Sequence, residues 1–400
     1  MKQYLQKQNK TSSLIHKEPN PDLKLIVVIP AYKETQITET IRSLYDCDQP
    51  TFATEIIVFV NGKEQDSEEV RAINEVCFST CLALHAELST EKLTFHFIKQ
   101  LDFKSKKGGV GLARKVLMDE ACFRFNQLDK PKGIIVNLDA DCAVAKNYFI
   151  AISDFMDGST LNAASIHYEH VLGNESIIFY ELHLRYFVGM QALLNLPFAF
   201  QTVGSAMAVD AKTYAAVGGM NTRKAGEDFY FMHKFIKIGV CGNIYSTTVF
   251  PSDRVSDRVP FGTGKAIGDM QDGNPFLTYN PESFDLLKPL VEGLHQLQKG
   301  EKLTFSKALQ AYFDTIQFDE KVAEIRNNTT NFKAFKKRFF QFFDAFKLMK
   351  ALHFLRDNGY PDVHLDKALP TYFNKISAEY LGVNKASLEK LRTHDLRFKT

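Results

Sequence analysis

The sequence predicts an α/β fold, with a mostly parallel sheet covered by helices on both faces and a helical region after it. Three observations predict this class. Short apolar runs alternate with helical patterns from Leu23 onward, several of these runs end in polar loops, and β-type patterns stop after about residue 275. We therefore expect domains over residues 23–275 and 276–400, with residues 1–22 as a disordered or loosely attached lead-in.

Each element has its own local signal. Three runs rich in β-branched and aromatic residues predict strands, at 23–30, 53–62 and 92–100. Three segments with apolar residues at helical spacing predict the intervening helices, at 35–47, 66–88 and 112–125. In the second of these helices, Asp66 and Glu69 have the spacing of a capping box. The run 133–138 predicts a further strand, which leads directly into Asp139 and Asp141.

An uncharged stretch over 186–209 is long enough to span a bilayer. Polar residues and Pro197 interrupt it, so we expect a buried helix to about Leu196 and then a strand through the core. Beyond residue 275 the pattern is helical, at 281–300, 304–316, 331–355 and 384–396. The segment 331–355 predicts a core helix with buried phenylalanines and a basic face, whose contact with a membrane is at most peripheral.

The bulk composition excludes some partners. Forty-nine basic and 47 acidic residues give a formal net charge of +2, which provides no overall field to attract nucleic acid. The six cysteines form no CxxC pair, and the first residues lack the apolar core of a secretory signal. We therefore expect a cytoplasmic protein with reduced cysteines.

Asp139 and Asp141 are the first candidate site. Carboxylates two residues apart on an extended strand end point to the same side, and Mg²⁺ or Mn²⁺ prefers oxygen ligands of this kind. Ligands bind beyond the carboxyl ends of strands in such sheets. The alternative is a pair of acids that caps the following turn.

A glycine-rich loop before the third predicted helix is the second candidate. The stretch KKGGVGLARK at 106–115 matches neither the dinucleotide fingerprint nor the P-loop. Lys107 and Arg114 beside free amides of a helix start suit a phosphate-bearing ligand. A solvated basic loop is the alternative. Further along, Glu227 and Asp228 begin a helix, where acids are also common as partners of the helix dipole.

The order of these features resembles the GT-A glycosyltransferases of family 2. The resemblance covers roughly residues 23–264 and is carried by VVIPAYKET, GVGLARK, NLDAD and GEDFYF. It implies a nucleoside-diphosphate sugar as donor and inversion at the anomeric carbon. Asp139 and Asp141 would hold the donor through Mg²⁺ or Mn²⁺, Asp228 would be the catalytic base, and Glu227 would orient the helix start.

The resemblance also implies nucleotide contacts. Base and ribose would lie against four residues at the end of the first strand, which are Pro30, Ala31, Tyr32 and Glu34. Asn61, at the end of the second strand, would contact the base. The tryptophan-containing QxxRW motif of the family is absent, because the chain has no tryptophan. Arg254 and Arg258 in SDRVSDRVPFGTG are candidates to replace it at the diphosphate, and a structural loop is the alternative.

Two other functions stay open at this stage. A sugar-1-phosphate nucleotidylyltransferase would need a glycine-rich, arginine-containing loop after the first strand, where this chain has PAYKET. A non-catalytic sugar-nucleotide sensor or scaffold would not need both acid pairs. The donor base, the donor sugar and the acceptor do not follow from the sequence. Candidate acceptor ligands, each equally suited to a structural role, are His167, Tyr168, Glu169 and His170.

Overall fold

The computed structural model describes residues 1–88, 90–104, 109–254 and 263–396. Its strands are β1 (Leu23–Ala31), β2 (Ala53–Lys63), β3 (Leu93–Phe103), β4 (Ile134–Asn137), β5 (Cys142–Val144), β6 (Ala163–Tyr168), β7 (Met207–Asp210), β8 (Cys241–Pro251), β9 (Leu277–Thr278) and β10 (Val363–His364).

Its helices are α1 (Lys2–Lys7), α2 (Ile37–Tyr45), α3 (Glu68–Leu88), α4 (Val110–Gln127), α5 (Tyr148–Gly158), α6 (Glu175–Leu193), α7 (Ala211–Ala216), α8 (Glu227–Ile238), α9 (Thr263–Gln271), α10 (Pro281–Asp285), α11 (Lys288–Glu292), α12 (Leu294–Lys299), α13 (Lys307–Thr315), α14 (Phe318–Asn327), α15 (Phe332–Phe342), α16 (Ala345–Asp357), α17 (Leu365–Lys375) and α18 (Lys385–Leu396).

Eight strands form one sheet in the order β3-β2-β1-β4-β7-β6-β8-β5, with helices on both faces. Pairs β1–β2, β2–β3, β1–β4 and β6–β8 are parallel, whereas β7 runs antiparallel to both of its neighbours and β5 runs antiparallel to β8. The predicted fold class is confirmed, including a strand through the core after the helix that was expected to end near Leu196. That helix, α6, ends at Leu193.

The centre of the sheet is buried because its strands are apolar on both faces. Residues 25–29 of β1 are completely buried. In the sheet register Val28 lies opposite Asn137 and Ala31 lies opposite Val60. The carboxyl ends of β1, β2 and β4 therefore meet at one edge, where the polar loops begin.

The first 22 residues are attached more firmly than the sequence predicted. Within this segment α1 buries Tyr4 and Leu5, and the Tyr4 hydroxyl donates a hydrogen bond of 2.6 Å to Asp119. The next residue of α4, Glu120, accepts hydrogen bonds from the Ser13 side chain and the Leu14 amide. The attachment depends on acids far along the chain, so local composition did not reveal it.

The chain divides into two units at places that differ from the expected boundary at residue 275. Residues 1–171 and 202–254 belong to the first unit, and residues 172–201 and 263–396 belong to the second. Helix α6 is part of the second unit because it packs against α9, α17 and α18. It also carries buried Glu181, which accepts hydrogen bonds from Arg185 and Arg392.

The predicted long helix over 331–355 is divided into α15 and α16. Asp344 interrupts it, because its side chain accepts a hydrogen bond from the Lys347 amide at 3.0 Å and so caps a new helix. The expected burial of the aromatic side is confirmed for Phe335, Phe339 and Phe343. In the ranges that the structure describes, no helix combines the length and the apolar character needed to cross a bilayer.

Candidate active site

The candidate site lies at the carboxyl ends of β1, β2 and β4 in the first unit. Tyr32 and Glu34 follow β1, Asn61 lies near the end of β2, and Asp139 and Asp141 follow β4. Parallel pairing of these strands places the three loops at one edge, as the sequence predicted.

A single guanidinium group connects this edge to the start of α8. Arg114, on α4, donates one hydrogen bond to Asp139 Oδ1 at 2.5 Å and another to Glu227 Oε1. Its side chain is only 4% exposed, and so is that of Glu227. Arg114 therefore links the acid pair after β4 to the acid pair at the start of α8, although the two pairs are far apart in the sequence.

Arg114 was predicted to bind a phosphate group, but its contacts in the structure are with carboxylates. Both of its terminal nitrogens are engaged by carboxylates, and its buried Nε has no hydrogen-bond partner among the described residues. A Cβ at position 204 would lie 2.4 Å from Arg114 Nη2, so any larger residue there would displace the guanidinium group. The geometry makes Arg114 a positioning residue.

Asp228 has an acid–base balance that differs from that of an ordinary aspartate. Burial and the neighbouring Glu227 carboxylate raise the pKa of Asp228 to about 7, although Arg114 and a hydrogen bond from the Phe229 amide oppose the rise. That amide donates to Asp228 Oδ1 at 2.7 Å, and within the described part of the chain it is the one hydrogen-bond partner of this carboxylate. A half-buried carboxylate with this pKa can accept a proton near neutral pH.

A second arginine bridges the loops after β1 and β4. Arg254 binds Glu34 through both terminal nitrogens, at 2.9 and 2.7 Å, and also donates to Asp141 Oδ2 at 2.9 Å. Ser252 donates to the same Asp141 oxygen at 3.2 Å. Glu34 is buried and also accepts the amides of Thr35 and Gln36, so it holds the loop in place.

The loops after β1 and β2 are joined through one carboxylate. The Tyr32 hydroxyl donates to Asp66 at 2.8 Å, and Asp66 also accepts the Lys63 amide. Asp66 therefore holds the two loops together and is not the predicted helix cap. The hydroxyl of Ser67 instead accepts the Val70 amide at the start of α3.

The side chain of Asn61, near the end of β2, lies at the same edge of the sheet. Its side-chain oxygen is buried and has no hydrogen-bond partner within the part of the chain that the structure describes, which is rare for a native protein. Nearby Asn74 donates to the Asn61 carbonyl and accepts the amide of Lys33, whose φ of 53° lies in the left-handed region. The orphaned oxygen suits an N–H donor on a ligand.

Some predicted residues take no visible part in the site. Ala31 is fully buried in β1, so its methyl group cannot line a pocket, whereas Pro30 is half-buried. Lys107 and Arg258 lie outside the described residues. Among the candidate acceptor ligands, His167, Tyr168 and His170 are buried, and His167 pairs with Glu169 at 3.0 Å, which fits a structural role.

Sequence reasoning missed the positioning residues. Asp66 had been assigned to a helix cap, and Asn74 and Gly204 had no role. No local signal distinguishes them, because each acts through a partner distant in the chain. Ser252 lies two residues before the candidate Arg254, and this nearness in sequence was the one available indication.

The carboxylates at this edge can be compared with the ligands that a hard cation such as Mg²⁺ requires. Among the described residues, no group of three or more histidine, cysteine, aspartate or glutamate side chains is arranged to hold a metal. Mg²⁺ in phosphate-binding sites commonly uses one or two carboxylates and takes its other ligands from phosphate oxygens and water. Asp139 and Asp141 fit that smaller set, although Arg114 and Arg254 already share their oxygens.

Comparison with known proteins gives distant structural similarity. No family model matches the chain, and no curated protein does. Crystal structures of S. aureus TarS 1-349 in complex with UDP-GlcNAc and with UDP are 14% identical, with TM-scores of 0.40 and 0.39. In both cases the match covers 93% of this chain and 90% of the other.

A longer TarS structure is 17% identical with a TM-score of 0.38. That match covers 57% of this chain and 37% of the TarS chain, so this chain corresponds to well under two thirds of that protein.

Proposed function

We propose that this protein is an inverting glycosyltransferase of the GT-A type, similar to family 2, that transfers a sugar from a nucleoside-diphosphate sugar to an acceptor hydroxyl. The main support is the position of Arg114, which joins Asp139, at the carboxyl ends of the strands, to Glu227. Glu227 is next to Asp228, whose pKa is about 7. Arg114 thus contacts one acid proposed to hold the donor and one acid next to the proposed base.

The transfer is a single displacement. The acceptor oxygen attacks the anomeric carbon, the bond from that carbon to the diphosphate oxygen breaks with its electron pair, and the acceptor proton passes to Asp228. Attack from the face opposite the leaving group inverts the configuration. Glu227 and Arg114 position Asp228, and Arg114 prevents its pKa from rising further.

The nucleotide would lie against the loops after β1 and β2. The Tyr32 ring is fixed by Asp66, and the Asn61 side-chain oxygen is available to accept a base N–H. Arg254 would meet the diphosphate, because it is the described cation next to Asp141. Charge-assisted hydrogen bonds of a guanidinium group to phosphate are strong and can be bidentate.

We propose Mg²⁺ or Mn²⁺ as the cofactor, held by Asp141 and, less directly, by Asp139. Such a cation supplies stabilisation of the negative charge that grows on the departing diphosphate. The carboxylates would have to share their oxygens between the cation and the two arginines.

The experiment is a turnover screen. Wild-type protein is incubated with a panel of nucleoside-diphosphate sugars and Mg²⁺ or Mn²⁺, and release of nucleoside diphosphate is measured beside a Glu227→Gln/Asp228→Asn variant. We expect release by the wild type with at least one donor and almost none by the double variant. Tight donor binding without any turnover would favour the non-catalytic sugar-nucleotide binder, and binding of no donor would contradict the proposal.

A further inference from the structure

Helix α15 of the second unit carries a cluster of positive charge. We call its four cations Lys333, Lys336, Lys337 and Arg338 the basic face. All four are exposed, the helix contains no acidic residue, and in the described part of the chain none of them has an ion pair or hydrogen bond. These charges are therefore uncompensated within the unit.

The arrangement is unfavourable for the helix itself. Lys333 lies three and four residues before Lys336 and Lys337, and like charges at these spacings destabilise a helix. The opposite side is committed to the core, because Phe335 and Phe339 are completely buried. The helix thus cannot insert its aromatic side into a bilayer, but its charged side is free to meet an anion.

A cavity adjoins the basic face. It has a volume of about 690 Å³ and is lined by three lysines including Lys336, by two acids, and by apolar residues that include Leu194, Val291 and Phe332. The two further lysines are partly neutralised, since Lys375 pairs with Asp285 at 2.7 Å and Lys288 with Glu292 at 3.6 Å. Lys336 is the cation that the cavity shares with the basic face.

We propose that the basic face docks the second unit on an anionic lipid surface, with a lipid phosphate near Lys336 and its glycerol and upper chain against the apolar lining. The charge alone would suit any polyanion. The apolar lining next to Lys336 favours a lipid, because a soluble polyanion has nothing to place there. The net charge of +2 means that this local cluster must supply the attraction.

The test is co-sedimentation of the full chain with vesicles of phosphatidylcholine alone and of phosphatidylcholine mixed with phosphatidylglycerol. We expect binding to the mixed vesicles, release at high salt, and little binding to the neutral vesicles. The triple variant Lys333→Gln/Lys336→Gln/Lys337→Gln should weaken binding about a hundredfold, because each cation near an anionic surface adds a similar amount to the binding free energy.

The matched control removes the same charge elsewhere in the unit. Lys302, Lys307 and Lys367 are also exposed and have no ion pair in the described part of the chain, so their triple glutamine variant should bind within about twofold of wild type. A cooperative thermal unfolding transition establishes that each variant is folded. Equal losses in the two variants, equal binding to neutral vesicles, or binding to soluble polyphosphate without binding to the mixed vesicles would overturn the proposal.

Discussion

Asp139 and Glu227 accept hydrogen bonds from the same guanidinium group, that of Arg114. One of these acids follows β4 and the other begins α8, so the arginine fixes the position of a strand end relative to a helix start. Because Asp228 is adjacent to Glu227, the same contact determines where the proposed base lies and how readily it ionises.

Arg114→Met should destabilise the protein and shift its pH dependence. Two carboxylates would lose their buried partner, which typically costs about 3–5 kcal/mol of the free energy of unfolding. The pKa of Asp228 should rise further, so the acid limb of the pH–rate profile moves to higher pH. Urea unfolding and pH–rate profiles check both effects. Arg114→Lys keeps the charge and should shift the profile less; identical profiles for Met and Lys would contradict the electrostatic role.

Gly204→Ala should damage the site without changing any charge. The new Cβ would approach Arg114 Nη2 to 2.4 Å and displace the guanidinium group from its two carboxylates. We expect a loss of roughly 1–3 kcal/mol in stability and at least about tenfold in turnover. The control is Gly158→Ala, where a Cβ would meet no atom within 4 Å. Equal effects of the two substitutions would show that the close approach at Gly204 has no consequence.

Asp228→Asn should stabilise the protein increasingly as the pH rises. The folded-state pKa of about 7 lies above the unfolded value, so protonated Asp228 favours the fold; this contribution is complete below about pH 4 and is lost by about pH 7. The amide resembles the protonated form and does not titrate. Between pH 5 and pH 8 the variant should gain roughly 2 kcal/mol relative to wild type in urea unfolding. A difference that is the same at both pH values would contradict the raised pKa.

Asn61→Ala should weaken nucleotide binding. The buried side-chain oxygen without a partner would gain a donor from the base, and its removal should cost about tenfold in affinity for the preferred nucleoside diphosphate. Isothermal titration calorimetry measures this, with exposed Asn327→Ala as the control for the chemical change. Unchanged affinity in Asn61→Ala would exclude this oxygen from the nucleotide site.

Asp141→Ala should remove the effect of Mg²⁺ or Mn²⁺ on nucleoside-diphosphate binding. The carboxylate is the proposed ligand of the cation, and without it the remaining acid, Asp139, is engaged by Arg114. Calorimetric titrations with the metal and with a chelator compare the two proteins. If the variant keeps the full metal dependence, the cation site lies elsewhere.

The sequence predicted the features that depend on local pattern. Apolar runs such as residues 25–29 identify buried strands, and strand ends in a parallel sheet meet at one edge, so Asp139, Asp141 and Asn61 were expected at a common site. The antiparallel entry of β7 between β4 and β6 was not expected, because strand direction depends on long-range pairing.

Pairings between distant residues could not be predicted. Arg114 beside a glycine-rich loop fits a phosphate ligand as well as it fits a carboxylate partner, and only the folded chain shows that Asp139 and Glu227 take both terminal nitrogens. The same holds for Arg254 with Glu34, which are far apart in the chain. The residue type determines the charge of a side chain, whereas the tertiary structure determines which residue of opposite charge lies beside it.

If Asp228 takes the proton of the acceptor hydroxyl, Asp228→Asn should lose donor turnover and keep nucleotide affinity, and both quantities can be measured on the same variant. An amide keeps the shape of the side chain but cannot take the proton, so we expect affinity within about twofold of wild type and turnover reduced at least about a thousandfold. The exposed Asp154→Asn variant, with the same chemical change, should match wild type in both. Turnover by Asp228→Asn within a few-fold of wild type would contradict the assignment of Asp228 as the base.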